Sequence, residues 1–155
     1  PMMAAPARMD AAIRKFEEIG THPLANTLAI AEALTVHNGI GVERKLARLR
    51  YLGDRWRKQI NGVADARWYT SDDPRYAGGM LTVGFEGIDG TRLARRLWNR
   101  HRIIVAAIQH PEINGIRVSP GVYTTLDEID RFADALASTI QDLRPQEQSS
   151  DASSS

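Results

Sequence analysis

Between positions 42 and 60, Val42, Leu46, Leu49, Leu52, Trp56 and Ile60 recur every three or four residues, with charged residues between them. That spacing collects them on one face of a helix, and Asn61-Gly62 predicts where it stops. A second helical stripe, Leu93, Leu97 and Trp98, follows the start signal Asp89-Gly90-Thr91. A third runs through Ile129, Phe132, Ala133, Leu136, Ile140 and Leu143, behind Thr125-Leu126-Asp127-Glu128, the spacing of a capping box. The intervening segments have a period of two or none. From Met80 to Glu86, Leu81, Val83 and Phe85 alternate with Thr82, Gly84 and Glu86, the pattern of a half-buried strand. A shorter strand is expected from Arg67 to Thr70, and Ser71-Asp72-Asp73-Pro74 reads as a loop. The apolar run from Ile103 to Ile108 predicts a buried strand, and Asn114-Gly115 predicts a tight turn into the next one. In that last strand Ile116 and Val118 face one way, Arg117 and Ser119 the other.

Upstream, Asp10 is the expected cap of a short helix ending at Gly20. Pro23 suits the first turn of another, which runs to about Asn38-Gly39 with an apolar stripe of Leu24, Leu28, Ala31 and Leu34. From Val42 onward the order is helix, strand, strand, helix, strand, strand, helix. Strands joined by short turns favour an α+β fold, a small mostly antiparallel sheet with helices packed on one face. Residues 1–41 then read as connector helices, 42–143 as the α+β domain, and 144–155, rich in Ser, Gln and Asp, as a disordered tail.

The layout makes Arg117 conspicuous. It falls on the sheet face that the helices leave open, and a partly dry guanidinium needs an anion. Either a local carboxylate such as Glu86 or Asp89 pairs with it, or it clamps the carboxylate of a substrate, a task that suits its planar fork.

Composition removes several function classes. A net charge of +1 gives no overall pull toward nucleic acid or acidic lipid. The cations of the 42–60 helix read as a solvated face without interleaved aromatic platforms, so no nucleic-acid partner is expected. With no cysteine, the chain has no disulfide, thiolate metal site or cysteine nucleophile. His22, His37, His101 and His110 lack metal-ligand spacing, so no metal is expected. No run suits a membrane span, and no secretory leader is visible. The expected compartment is the cytoplasm. The chain begins at Pro1, which fits a processed product or a fragment.

Two segments carry a family resemblance. One is Lys15-Phe16-Glu17-Glu18-Ile19-Gly20-Thr21-His22-Pro23; the other runs from Gly115 through Arg117, Ser119 and Tyr123-Thr124-Thr125 to Glu128-Ile129-Asp130. With Ala47-Arg48-Leu49-Arg50-Tyr51-Leu52 between them, they resemble, over positions 13–143, the C-terminal part of class V aminotransferase-fold enzymes. These are pyridoxal-phosphate enzymes of fold type I, and the nearest likeness is the isopenicillin N epimerase-like branch.

The resemblance implies that Arg117 binds the α-carboxylate of an amino-acid substrate. It implies that Gly20 and Thr21 reach the phosphate of pyridoxal 5'-phosphate in the neighbouring subunit of a homodimer, with His22 beside them. From the residues alone, Thr21 is equally a helix cap ahead of Pro23, and His22 a loop residue without a task. Family desulfurases place a nucleophilic cysteine shortly before the arginine. Here Gln109-His110-Pro111-Glu112-Ile113-Asn114 has none, which argues against desulfuration and leaves amino transfer, epimerisation and elimination open. The Schiff-base lysine of such enzymes belongs to a large domain that precedes this part. Lys15, Lys45 and Lys58 do not match its motif. The expectation is therefore a C-terminal substrate domain with its connector, inactive without the large domain. The competing expectation is a non-catalytic module that binds a protein partner through its open sheet face.

Overall fold

In a computed structural model of the chain, the described residues are 23–63 and 65–144. The helix expected over 10–18 and the tail from 145 lie outside them. The chain divides into two compact units, Pro1–Gly41 and Val42–Ser155.

In the first unit, α1 spans Leu24–Ile40. Pro23 precedes it in an extended conformation, and Gly41 ends it at φ +87°, where its N–H donates to the His37 carbonyl. The expected apolar stripe is not a stripe. Ile30, Val36 and Ile40 add apolar side chains on the remaining sides, and α1 buries no residue.

The second unit has the order α2 (Val42–Ile60), β1 (Ala66–Trp68), β2 (Leu81–Phe85), α3 (Gly90–His101), β3 (Ala106–His110), β4 (Ile113–Val118) and α4 (Leu126–Leu143). Its four strands form one antiparallel sheet in the order β1-β2-β4-β3, so β2 and β4 are central. The α+β expectation holds. Leu81, Val83 and Phe85 of β2 and Ile116 and Val118 of β4 point into one core. Opposite them stand Leu52, Trp56 and Ile60 of α2, Leu93 and Leu97 of α3, and Ile129, Phe132, Leu136 and Ile140 of α4. Trp56 is at the centre, 5.1 Å from Trp68 and edge-on to Phe132 at 5.3 Å between ring centroids. Arg55 of α2 and Asp130 of α4 form a two-pronged ion pair, with both bonds at 2.7 Å, that joins the two helices.

Several local expectations change. The inward stripe of α2 is confined to its second half, since Val42 is exposed and Leu46 and Leu49 are half-buried. Trp98 is 43% exposed and lies beneath the Arg102 guanidinium at 5.3 Å instead of facing the core. The run from Ile103 to Ile108 is not one buried strand: Ile103 and Val105 pack against the core, Ile104 is 81% exposed, and β3 is an exposed edge strand. Asn114-Gly115 is not the turn, which falls at Pro111-Glu112, but part of β4. Asn114 instead ties down the start of α3, accepting from Gly90 N at 2.8 Å and donating to the Ile88 carbonyl at 3.3 Å. A Cβ on Gly90 would lie 2.3 Å from the Gly115 carbonyl oxygen, so the glycine is what lets helix and strand approach there.

Candidate functional site on the open sheet face

Strand alternation fixes the direction of Arg117. Its neighbours Ile116 and Val118 are buried under the helices, and Arg117 is exposed on the opposite face. In register it sits between Thr82 of β2 and Ala106 of β3. A central strand flanked on both sides holds its backbone rigid, which suits a side chain that must present a fixed fork. Among the described residues Arg117 makes no ion pair or side-chain hydrogen bond. Glu86 pairs with no cation among them, and Asp89 instead accepts from Arg92 N at 2.8 Å as the cap of α3. The local-carboxylate alternative for Arg117 is not realised.

Four arginines of α2 behave differently. Arg48 donates to the Thr124 carbonyl, Arg50 to the Pro74 and Ala77 carbonyls, Arg55 to Asp130, and Arg57 to Asp72. These cations of α2 hold the chain's own loops and its neighbouring helix.

The segment after Arg117 is fastened at three points. Thr124 closes a turn, its hydroxyl accepting from Gly121 N at 3.0 Å and its own N–H reaching the Gly121 carbonyl at 3.1 Å. Arg48 holds the Thr124 carbonyl at 2.9 Å. The capping box then forms as expected: Glu128 N donates to Thr125 Oγ1 at 3.2 Å, and Thr125 N to Glu128 Oε2 at 2.8 Å. Those donors, the Thr125 N–H first and its hydroxyl second, hold the Glu128 carboxyl below the usual carboxylate range. The sequence pointed to the Thr125 cap but gave no task to Thr124, whose hydroxyl hydrogen-bonds with geometry that a turn of this length permits to a short polar side chain. Tyr123, in the same turn, is 87% exposed.

Around Arg117 the open face is built largely from small residues. Gly84 and Gly115 lie side by side on the central strands, a Cβ on Gly115 falling 2.9 Å from Gly84 Cα. Tyr69, whose N–H donates to the Thr82 carbonyl at 3.0 Å, continues the pairing beyond β1. Its ring covers Gly84, since a Cβ there would come within 3.0 Å of Tyr69 Cε2. A cleft of about 400 Å³ opens at this end, with Arg67, Tyr69, Gly84, Glu86 and Asn114 among its lining residues.

Gly20, Thr21 and His22 lie outside the described residues. The described lysines, Lys45 and Lys58, belong to α2 and so to the helix layer. None stands on the open face with Arg117. The described residues therefore suit the carboxylate of a substrate and do not themselves fit covalent attachment of a cofactor. No group of potential metal ligands is found among them, and no helix there is long and apolar enough to cross a membrane.

Comparison with known proteins bears on the family and the fold. The sequence model of the family described as Aminotransferase class-V matches residues 4–132. The chain is 35% identical over 125 residues to isopenicillin N epimerase of Streptomyces clavuligerus and 32% identical over 125 residues to the enzyme of that name from Amycolatopsis lactamdurans. In both cases the match covers 80% of this chain and 31% of the relative, so the chain spans about a third of the length of these relatives. Among solved structures, the apo cysteine desulfurase of Thermococcus onnurineus NA1 superposes with a TM-score of 0.70 at 22% identity, over 80% of this chain and 33% of that one. At that identity the likeness concerns the fold alone.

Proposed function

The chain belongs to the class-V aminotransferase family, and on that premise we propose that it forms the substrate-binding C-terminal part of a longer pyridoxal-phosphate enzyme acting on an amino acid. The observation that carries the reading is Arg117, on the open face of a central strand and without an acidic partner among the described residues. Its guanidinium clamps the α-carboxylate of the substrate by two parallel N–H···O bonds. Held by both oxygens, the substrate cannot turn about that group, so the bond at Cα presented for reaction is fixed. The cofactor supplies the electron sink for the charge that develops at Cα. The two relatives are named as epimerases, and epimerisation is one reaction open at that carbon. Amino transfer, epimerisation and elimination all fit it. Thiolate desulfuration does not, because β3 and β4 are joined by Pro111-Glu112 alone and the chain has no cysteine.

The large domain, with its lysine, belongs to the same polypeptide upstream, and the complete enzyme is a homodimer in which Gly20 and Thr21 approach the partner's cofactor phosphate. In the complete enzyme, Arg117→Gln is expected to weaken amino-acid binding roughly 10- to 100-fold, the value of a charge-assisted hydrogen-bonded pair. Unchanged KM and kcat would overturn the clamp. The upstream reading frame is a separate check: a stop codon directly before this segment, with no large domain encoded, removes the enzyme reading and favours a partner-binding module.

A further inference from the structure

Arg67 stands on the same bare face as Arg117, with β2 between their strands. Its guanidinium carbon lies 5.0 Å from the centroid of the Tyr69 ring, within cation–π range. The ring rests across Gly84, and Gly84 adjoins Gly115, so the surface between the two arginines is this ring laid over two glycines, with Thr82 beside Arg117. Arg67 is exposed and makes no ion pair or side-chain hydrogen bond among the described residues. Two carboxylates border the cleft it lines. Asp65 is engaged by Arg144 at 3.4 Å, and Glu86 pairs with no cation among the described residues. The register places Arg67 opposite Gly84 and Arg117 opposite Thr82. From ordinary strand spacing and rise, their Cα atoms are about 12 Å apart, close enough for one small molecule to meet both guanidinium groups.

We propose that Arg67, shelved on Tyr69, is a second anion site on the substrate face, and that the substrate is an amino acid carrying a distal carboxylate as well as its α-carboxylate. This rests on the reading of Arg117 as the α-carboxylate clamp. A guanidinium is weakly hydrated, and one already laid on a ring has little freedom left to lose, so it meets an anion at low cost. The Tyr69 ring over Gly84 gives the substrate's methylene chain an apolar surface to lie on.

The test titrates the cofactor-loaded complete enzyme calorimetrically with two matched pairs, L-glutamate against L-norvaline and L-2-aminoadipate against L-norleucine. At least one diacid is expected to bind tenfold or more tightly than its partner. Arg67→Gln should abolish that preference and leave the monoacids within twofold, and Arg67→Lys should retain part of it. Tyr69→Leu, which keeps the charge and loses the shelf, should reduce the preference several-fold. Arg117→Gln should weaken all four ligands; if it alone has no effect, the clamp fails and the second site stands. The proposal is overturned if the wild type shows no preference for diacids, or if Arg67→Gln weakens both members of a pair alike.

Discussion

Arg55 and Arg117 stand on opposite sides of one sheet and show what each side is for. Arg55, in the helix layer, has its anion inside the chain: both of its bonds to Asp130 are 2.7 Å long, and Gln59 adds a third donor to that carboxylate at 2.8 Å. Arg117, on the bare layer, has none among the described residues. The covered face is closed sterically, and at Arg55 its cation is neutralised within the chain. The other face keeps an unneutralised cation on a central strand, beside a floor that includes Gly84 and Gly115. Cations left without partners within a fold are suited to anions that arrive from outside it.

The comparison can be broken in several ways, and the largest effects should fall on the covered side. Trp56→Ala, which empties the centre of the core, is expected to cost about 3–5 kcal/mol in chemical denaturation. In the same assay Arg117→Gln should stay within about 0.5 kcal/mol, while its effect on substrate binding in the complete enzyme reaches about 1.5–3 kcal/mol. Comparable destabilisation by both substitutions would mean that Arg117 is structural. Gly90→Ala, which drives a Cβ against the Gly115 backbone, should cost about 1–3 kcal/mol, seen as a lowered denaturation midpoint. Thr125→Ala removes a cap and should cost about 1 kcal/mol.

The smallest effect concerns acid. Hydrogen bonds from Arg55 and then Gln59 hold the Asp130 carboxyl at about 2, below its ordinary 3.8. Because that pKa is lowered on folding, its stabilisation is complete above about pH 4 and fades as the pH falls toward 2. Denaturation midpoints measured from pH 6 to pH 2 should therefore decline in the wild type and decline less steeply in Asp130→Asn, where Glu128 and Asp73 still titrate below their ordinary range. An unchanged slope would show that the pair contributes nothing in solution.

The covered side was the more legible in the sequence. Buried residues repeat with the period of their element, so Leu81, Val83, Ile116 and the α4 stripe declared their faces, and Arg117 followed by alternation. The misreadings share a cause: a local signal has more than one physical origin. Asn114-Gly115 looks like a turn because both residues suit one, yet here the amide fastens α3 and the glycine allows backbones to touch. The run from Ile103 to Ile108 is apolar because part of it meets the core, but a run cannot reveal that Ile104 faces away. In α1 the apolar residues surround the axis, and a reading that seeks one stripe finds one. A strand over Arg67 to Thr70 is expected from the sequence, but the face that Arg67 and Tyr69 take is not legible there, because so short a strand shows no alternation. Their partner Gly84 carries its information as a missing side chain.

The strand order also bears on how the site comes into being. β3 and β4 form a hairpin across a two-residue turn, so that half of the sheet closes quickly. Arg117 is set beside Thr82, however, only when β2 pairs with β4, and all of α3 and β3 lie between them in sequence. That long closure carries an entropic cost before any contact compensates it. The arginine's surroundings are thus expected to assemble late and cooperatively. Hydrogen exchange should reflect this, with the backbone amides that join β2 to β4 opening at the rate of global unfolding and those of the β3 edge opening much sooner.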